Sequence, residues 1–163
     1  MILAIDPGNV YSAYVIMGED YKPTEFGKIE NYLFEGLISA CINHGDVEHV
    51  VIEMVASYGM AVGQTVFDTC VWIGRFKENA EYNVVDNSLM FRKDVKMNLC
   101  GQTRAKDSNI IQALIDRFAY GVPNRGKGYK KGPGWFYGFK ADIWQAYALG
   151  VTYMDERKNN VNL

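Results

Sequence analysis

MILAIDPGNVYSAYVIM, residues 1–17, is the stretch that decides the fold. Ile2–Asp6 is a short apolar run that ends on a carboxylate, and Pro7-Gly8-Asn9 then breaks the chain. Tyr11–Met17 is a second β-rich run, so the two read as a hairpin with Asp6 directly before the turn. An acid that follows an apolar run is either half-buried and unpaired, which is costly, or it has work to do.

Residues 24–30 alternate enough to be a third strand after the 18–23 turn. Tyr32, Leu33, Leu37, Ile38 and Cys41 recur at helical spacing, and that helix ends near Asn43-His44-Gly45. His49–Met54 is again an apolar run carrying an acid near its end, Glu53, as suits a strand covered on both faces. The pattern then predicts a helix over 62–79, with Val66, Phe67, Cys70, Ile73 and Gly74 along one side. It continues with a fifth strand over 82–85, helices over 88–99 and 105–120, and a last helix over 140–156. Residues 121–138 hold six glycines and two prolines and read as one long flexible, basic loop. The order β-β-β-α-β-α-β-α-α-α predicts an α/β fold. Its sheet is mixed and five-stranded, a meander followed by alternating strands and helices, with helices on both faces.

The chain has 163 residues, 48% apolar and 22% charged, which is one domain's worth of core. No apolar run reaches the ~18–20 residues that span a bilayer, and the N-terminus lacks a basic leader, so the expectation is a cytoplasmic protein. Cys41, Cys70 and Cys100 are far apart and odd in number, which reads as three buried thiols rather than a metal or disulfide set. Net charge is −2, yet between Arg92 and Lys140 eleven lysines and arginines face three acids. Such asymmetry allows one face to neutralise phosphates while the other stays acidic.

If strands one and four are parallel neighbours, Asp6 and Glu53 share the crevice at the carboxyl ends of the sheet. Asp142, in the first turn expected of the last helix, could join them across it. Each acid alone also reads as a capping or solvated carboxylate. Clustered carboxylates repel unless a proton or cation compensates, and oxygen-only ligands suit Mg²⁺ or Mn²⁺ rather than zinc. Two such ions support phosphodiester cleavage.

Four blocks carry a resemblance: Ile5-Asp6-Pro7-Gly8-Asn9, Val50-Val51-Ile52-Glu53, the segment from Val95-Lys96 through Gly101 to Ala105-Lys106-Asp107, and Lys140-Ala141-Asp142-Ile143-Trp144-Gln145-Ala146-Tyr147-Ala148-Leu149. In order and spacing they resemble the motifs of RuvC-type Holliday-junction resolvases, closest to the short RuvC-like proteins of bacteriophages of Gram-positive bacteria. The resemblance covers nearly the whole chain. It implies an RNase H-like domain, two Mg²⁺ (or Mn²⁺) ions, a homodimer and paired nicks in four-way or other branched DNA. Asp6, Glu53 and Asp142 would be the metal ligands, with Lys96 and Lys106 near the cut phosphate.

One position departs from the pattern. Where the family usually shows a second carboxylate, three residues after Asp142, this chain has Gln145, whose carbonyl oxygen is a neutral ligand. Weaker binding of one ion, or a preference for Mn²⁺, is expected.

Arg125, Lys127, Lys130 and Lys131 in the long loop are candidate DNA contacts. The neighbouring Trp135, Phe136 and Tyr137 read equally as packing anchors. Tyr58 and Met60 read as a wedge at a junction centre or as core. The apolar stripe of the 62–79 helix reads as core or as a dimer face. Two rival functions stay open, debranching of forks and flaps and junction binding without cleavage. An actin-like ATPase, which needs two lobes, does not fit the length.

Overall fold

The computed structural model describes residues 1–45 and 47–161. Five strands form one sheet: β1 (Ile2–Asp6), β2 (Tyr11–Met17), β3 (Pro23–Glu30), β4 (His49–Met54) and β5 (Asp86–Phe91), ordered β3-β2-β1-β4-β5. β1, β2 and β3 pair antiparallel as a meander, while β4 lies parallel to β1 and β5 parallel to β4. The helices are α1 (Asn31–Asn43), α2 (Gln64–Tyr82), α3 (Arg92–Cys100), α4 (Asp107–Phe118) and α5 (Ile143–Val161). The mixed five-stranded α/β architecture, with helices on both faces, is the one the sequence predicts.

Because side chains alternate along a strand, the sheet divides the core in two. Leu3, Ile5, Tyr14, Ile16, Val50 and Ile52 pack under α1 and α2, against Phe34, Ile38 and Phe76. Ile2, Ala4, Ala13, Val15, Met17 and Val51 pack under α3, α4 and α5, against Leu114, Tyr147 and Leu149. Phe34 and Phe76 are fully buried, and truncating either to Ala would cost about 3–5 kcal/mol.

Several details differ from the sequence pattern. The fifth strand is Asp86–Phe91, not 82–85, because α2 runs on through Tyr82 with Ala80 buried beneath it, and the helix expected over 88–99 accordingly starts only at Arg92. Val84, which looked like strand, sits in a turn at φ 59° and is exposed. In α1 the buried residues are Asn31, Phe34, Ile38 and Ile42, whereas Tyr32 and Leu33 face solvent. In α2 the core side is Thr69, Trp72, Ile73, Phe76 and Ala80, which leaves Phe67 and Val71 outside.

The long 121–138 segment contains a short hairpin, β6 (Gly128–Tyr129) with β7 (Gly132–Pro133). Fully buried Phe136 anchors its far side, where a Cβ on Gly126 would fall 2.8 Å from the Phe136 ring. Trp135 donates to the Tyr147 hydroxyl at 2.9 Å, so these two aromatics are packing anchors. The three cysteines are half-buried rather than fully buried and form no disulfide with one another. Among the described residues no helix is long and apolar enough to cross a membrane.

Candidate active site

β1 and β4 run parallel with Ile5 opposite Ile52, so Asp6 and Glu53 stand next to each other at the strands' carboxyl ends. Both continue the face that packs under α5, where the apolar row of residues 2, 4 and 51 gives way to carboxylates. Asp142 arrives at the same place from the start of α5. It is the N-cap rather than part of the first turn, since its carbonyl already accepts the Ala146 N–H at 3.0 Å. Ala141 just before it lies at φ 45°, in the left-handed region, a conformation that costs about 1–2 kcal/mol in a non-glycine residue. The chain turns sharply there to present Asp142.

The turn that carries Asp6 is braced by a buried polar pair. The Ser12 hydroxyl donates to Asn31 Oδ1 at 2.7 Å and accepts from the Gly8 N–H at 3.3 Å. Asn31 Nδ2 in turn donates to the Gly8 carbonyl at 2.9 Å. Gly8 is required by close approach, because a Cβ would sit 2.3 Å from the Tyr11 carbonyl oxygen.

Two cations complete the row. Ala13 on β2 pairs with Asp6 on one side and with Lys28 of β3 on the other, so Lys28 lies on the line of the carboxylates. Its ammonium is ion-paired with Asp142 Oδ2. At the other end Arg92, the first residue of α3, donates to Glu53 Oε2 at 3.2 Å and to Asp107 Oδ1 at 2.7 Å.

Burial, then Glu53 and Asp142, raise the Asp6 carboxyl from 3.8 to about 8, against the pull of Arg92 and Lys28. Burial also raises Glu53, with Arg92 opposing. Arg92 is itself held above its ordinary value, because Glu53 and Asp107 outweigh its burial.

The expected cluster of three carboxylates is therefore not assembled as such. Among the described residues no three His, Cys, Asp or Glu side chains stand at metal-holding spacing. The physical reason is the pairing of each outer carboxylate with its own cation, Asp142 with Lys28 and Glu53 with Arg92. None of the three lies on a remote surface, since Asp6 feels the charge of both others.

The donor set nonetheless fits a hard divalent cation. It offers oxygen ligands only, and its central acid keeps its proton unless further positive charge arrives. Gln145, one turn into α5, is 8% exposed, and its side-chain carbonyl oxygen has no hydrogen-bond partner among the described residues. That orphaned acceptor is the kind of group a cation satisfies.

Two hollows flank the row. One, about 360 Å³, is lined by Asp6, Pro7, Gly8, Asn9, Val10, Tyr11, Lys28 and Asp142. The other, about 330 Å³, is lined by Tyr58, Arg92, Lys93, Lys96 and Thr103, three cations beside an aromatic ring. Lys96 also acts electrostatically on Glu53. Lys106 is exposed at the start of α4, where its N–H donates to Asn109 Oδ1 at 2.9 Å, next to the Asp107 that holds Arg92.

Tyr58, at φ 48°, and Met60 are both exposed rather than packed in the core. Lys130 and Lys131 form the tip of the β6–β7 hairpin, with Arg125 exposed and Lys127 half-buried beside it. The sequence reading missed Lys28, Arg92 and Asp107 as members of the site. Lys28 becomes visible only once the register of β3 against β2 is known.

No protein-family model and no curated protein matches the chain. Among solved structures it is similar to RuvC of Thermus thermophilus, with a TM-score of 0.71 at 13% identity, covering 97% of this chain and 96% of that one. It is similar also to T. thermophilus RuvC in complex with a Holliday-junction substrate, with a TM-score of 0.69 at 14% identity, covering 97% and 95%. The chain has the RNase H-like fold of RuvC.

Proposed function

We propose that the chain is a divalent-metal-dependent endonuclease that resolves four-way DNA junctions by paired nicks. One observation carries this reading. Two acids at neighbouring parallel strand ends and a third at a helix start lie on one face, beside a hollow lined by three cations. The fold it shares with RuvC, one structure of which holds a Holliday-junction substrate, points the same way. So do the four sequence blocks, and with them the likeness to short phage resolvases.

In this reading Asp6, Glu53 and Asp142 hold two Mg²⁺ or Mn²⁺ ions, with the Gln145 oxygen as a neutral fourth ligand. Held there, such ions would supply an activated water and positive charge for the leaving oxygen. Lys96, Lys106 and Arg92 draw the phosphodiester to the row by charge-assisted hydrogen bonds. Tyr58, exposed at the rim of the basic hollow, takes an unpaired base by stacking. Arg125, Lys127, Lys130 and Lys131 contact backbone phosphates away from the cut and set affinity rather than sequence.

Two copies related by a two-fold axis match the near two-fold symmetry of a junction. The exposed Phe67 and Val71 on α2 supply an apolar contact for such a dimer.

The test is incubation with a synthetic four-way junction in Mg²⁺, Mn²⁺ or EDTA, with a fork and a flap as parallel substrates. Symmetric nicks on opposed strands with either ion, and none in EDTA, support resolution. Nicks confined to forks and flaps would replace it with debranching. A bound but intact junction in both ions would leave a junction binder without catalysis.

A further inference from the structure

The carboxylate row carries its own counter-ions. Lys28 reaches Asp142 from β3, across two strands, and Arg92 reaches Glu53 from α3, so one cation closes each end of the row around Asp6. The two pairs differ in setting. Glu53 and Arg92 are mostly covered, and Arg92 is further tied to Asp107, whereas Lys28 and Asp142 are both well exposed. An exposed lysine pair is weak and exchanges readily, because its flexible stem and strong hydration let the ammonium return to water. Lys28 also lines the hollow that contains Asp6 and Asp142, the space a cation would enter.

We propose that Lys28, backed by Arg92, is an exchangeable counter-ion of the carboxylate row. It holds the site in charge balance before a divalent cation arrives, and leaves Asp142 when the cation binds. The inference rests on the divalent-cation reading of the site and adds a competitor to it. Lys28 is a positioning residue in this account: it keeps Asp142 beside Asp6 when no metal is present, at the expense of metal affinity. A lysine in line with Asp6 serves both ends, since without it three carboxylates would face one another with the compensating charge, Arg92 and Lys96, all on the Glu53 side.

The test is Mn²⁺ binding, followed through the paramagnetic resonance signal of free Mn²⁺, together with the thermal midpoint in EDTA and in Mn²⁺. Lys28→Met should bind Mn²⁺ roughly five- to tenfold tighter than wild type, because a positive charge near the incoming dication has been removed. Its midpoint should fall in EDTA and rise more steeply with Mn²⁺ than that of wild type. Lys28→Gln should show the same tightening, and Lys28→Arg should restore wild-type affinity. Lys22→Met removes the same charge from the turn before β3, away from the row, and should leave Mn²⁺ affinity unchanged.

Wild type that binds Mn²⁺, with Lys28→Met binding it no tighter, overturns the counter-ion role alone. Absence of Mn²⁺ binding in both proteins overturns the divalent-cation reading along with it.

Discussion

Asp6→Asn should stop cleavage and at the same time make the metal-free protein more stable at alkaline pH. The Asp6 carboxyl has an ordinary value of 3.8 and is raised to about 8 in the fold, first by burial and then by Glu53 and Asp142. The folded protein therefore keeps this proton up to about pH 8, whereas the unfolded chain releases it above about pH 4. Stability from this group is fully present below the unfolded value and is lost as pH rises towards 8.

At 1.36 kcal/mol per unit, three pH units from 5 to 8 remove about 4 kcal/mol, and solvent at the open side of the row reduces this to about 2 kcal/mol. An asparagine has no such dependence. Between pH 5 and pH 8 the variant should gain on wild type by about 2–4 kcal/mol, or roughly 5–15 °C in midpoint for a chain of this size.

Thermal melts in EDTA across that range measure the gain directly. Repeating them with Mn²⁺ should stabilise wild type most at high pH, where the ion has the least proton to displace, and should do little for the variant. Melting curves of the two proteins that stay parallel from pH 5 to pH 8 would refute the electrostatic account of Asp6.

Replacing Lys130 and Lys131 together with Ala should weaken junction binding and flatten its salt dependence by roughly 2 units of log–log slope, with the cut positions unchanged. Unaltered affinity and slope in a binding titration would remove the hairpin tip from the DNA surface. Gln145→Asp puts a second carboxylate one turn from Asp142 and should tighten Mg²⁺ binding about tenfold by calorimetry. No change would mean that the orphaned oxygen does not face the ions. Phe67→Glu places a charge on the outer face of α2 and should convert a dimer to a monomer in sedimentation, with the melting midpoint nearly unchanged.

The parts of the fold legible in the sequence are those whose pattern is local. Ile2–Asp6, Tyr11–Met17 and His49–Met54 could be bounded because an apolar run, a turn and an acid each leave a mark on neighbouring residues. The fifth strand was misplaced because Val84 and Val85 look like strand, while the buried Ala80 that extends α2 is a small residue with a weak signal. The faces of α1 and α2 were misread for a related reason. Tyr32, Leu33 and Phe67 are apolar at helical spacing, yet they point away from the sheet.

At the candidate site, Asp6, Glu53 and Asp142 could be picked out as candidates because each stands near the end or start of an element. Their cations could not. Lys28 meets Asp142 only through the pairing of three strands, and Arg92 meets Glu53 only because α3 begins at the end of β5. Charge balance in the row is a property of sheet register, which periodicity does not reveal.

Asp6, Glu53 and Asp142 together should ligate divalent ions. Anomalous diffraction from crystals equilibrated with Mn²⁺ tests it most directly. The account predicts peaks within about 2.2 Å of carboxylate oxygens from all three residues, with the Lys28 ammonium withdrawn from Asp142. A saturated crystal with no peak between these side chains, and with Lys28 still on Asp142, would contradict it.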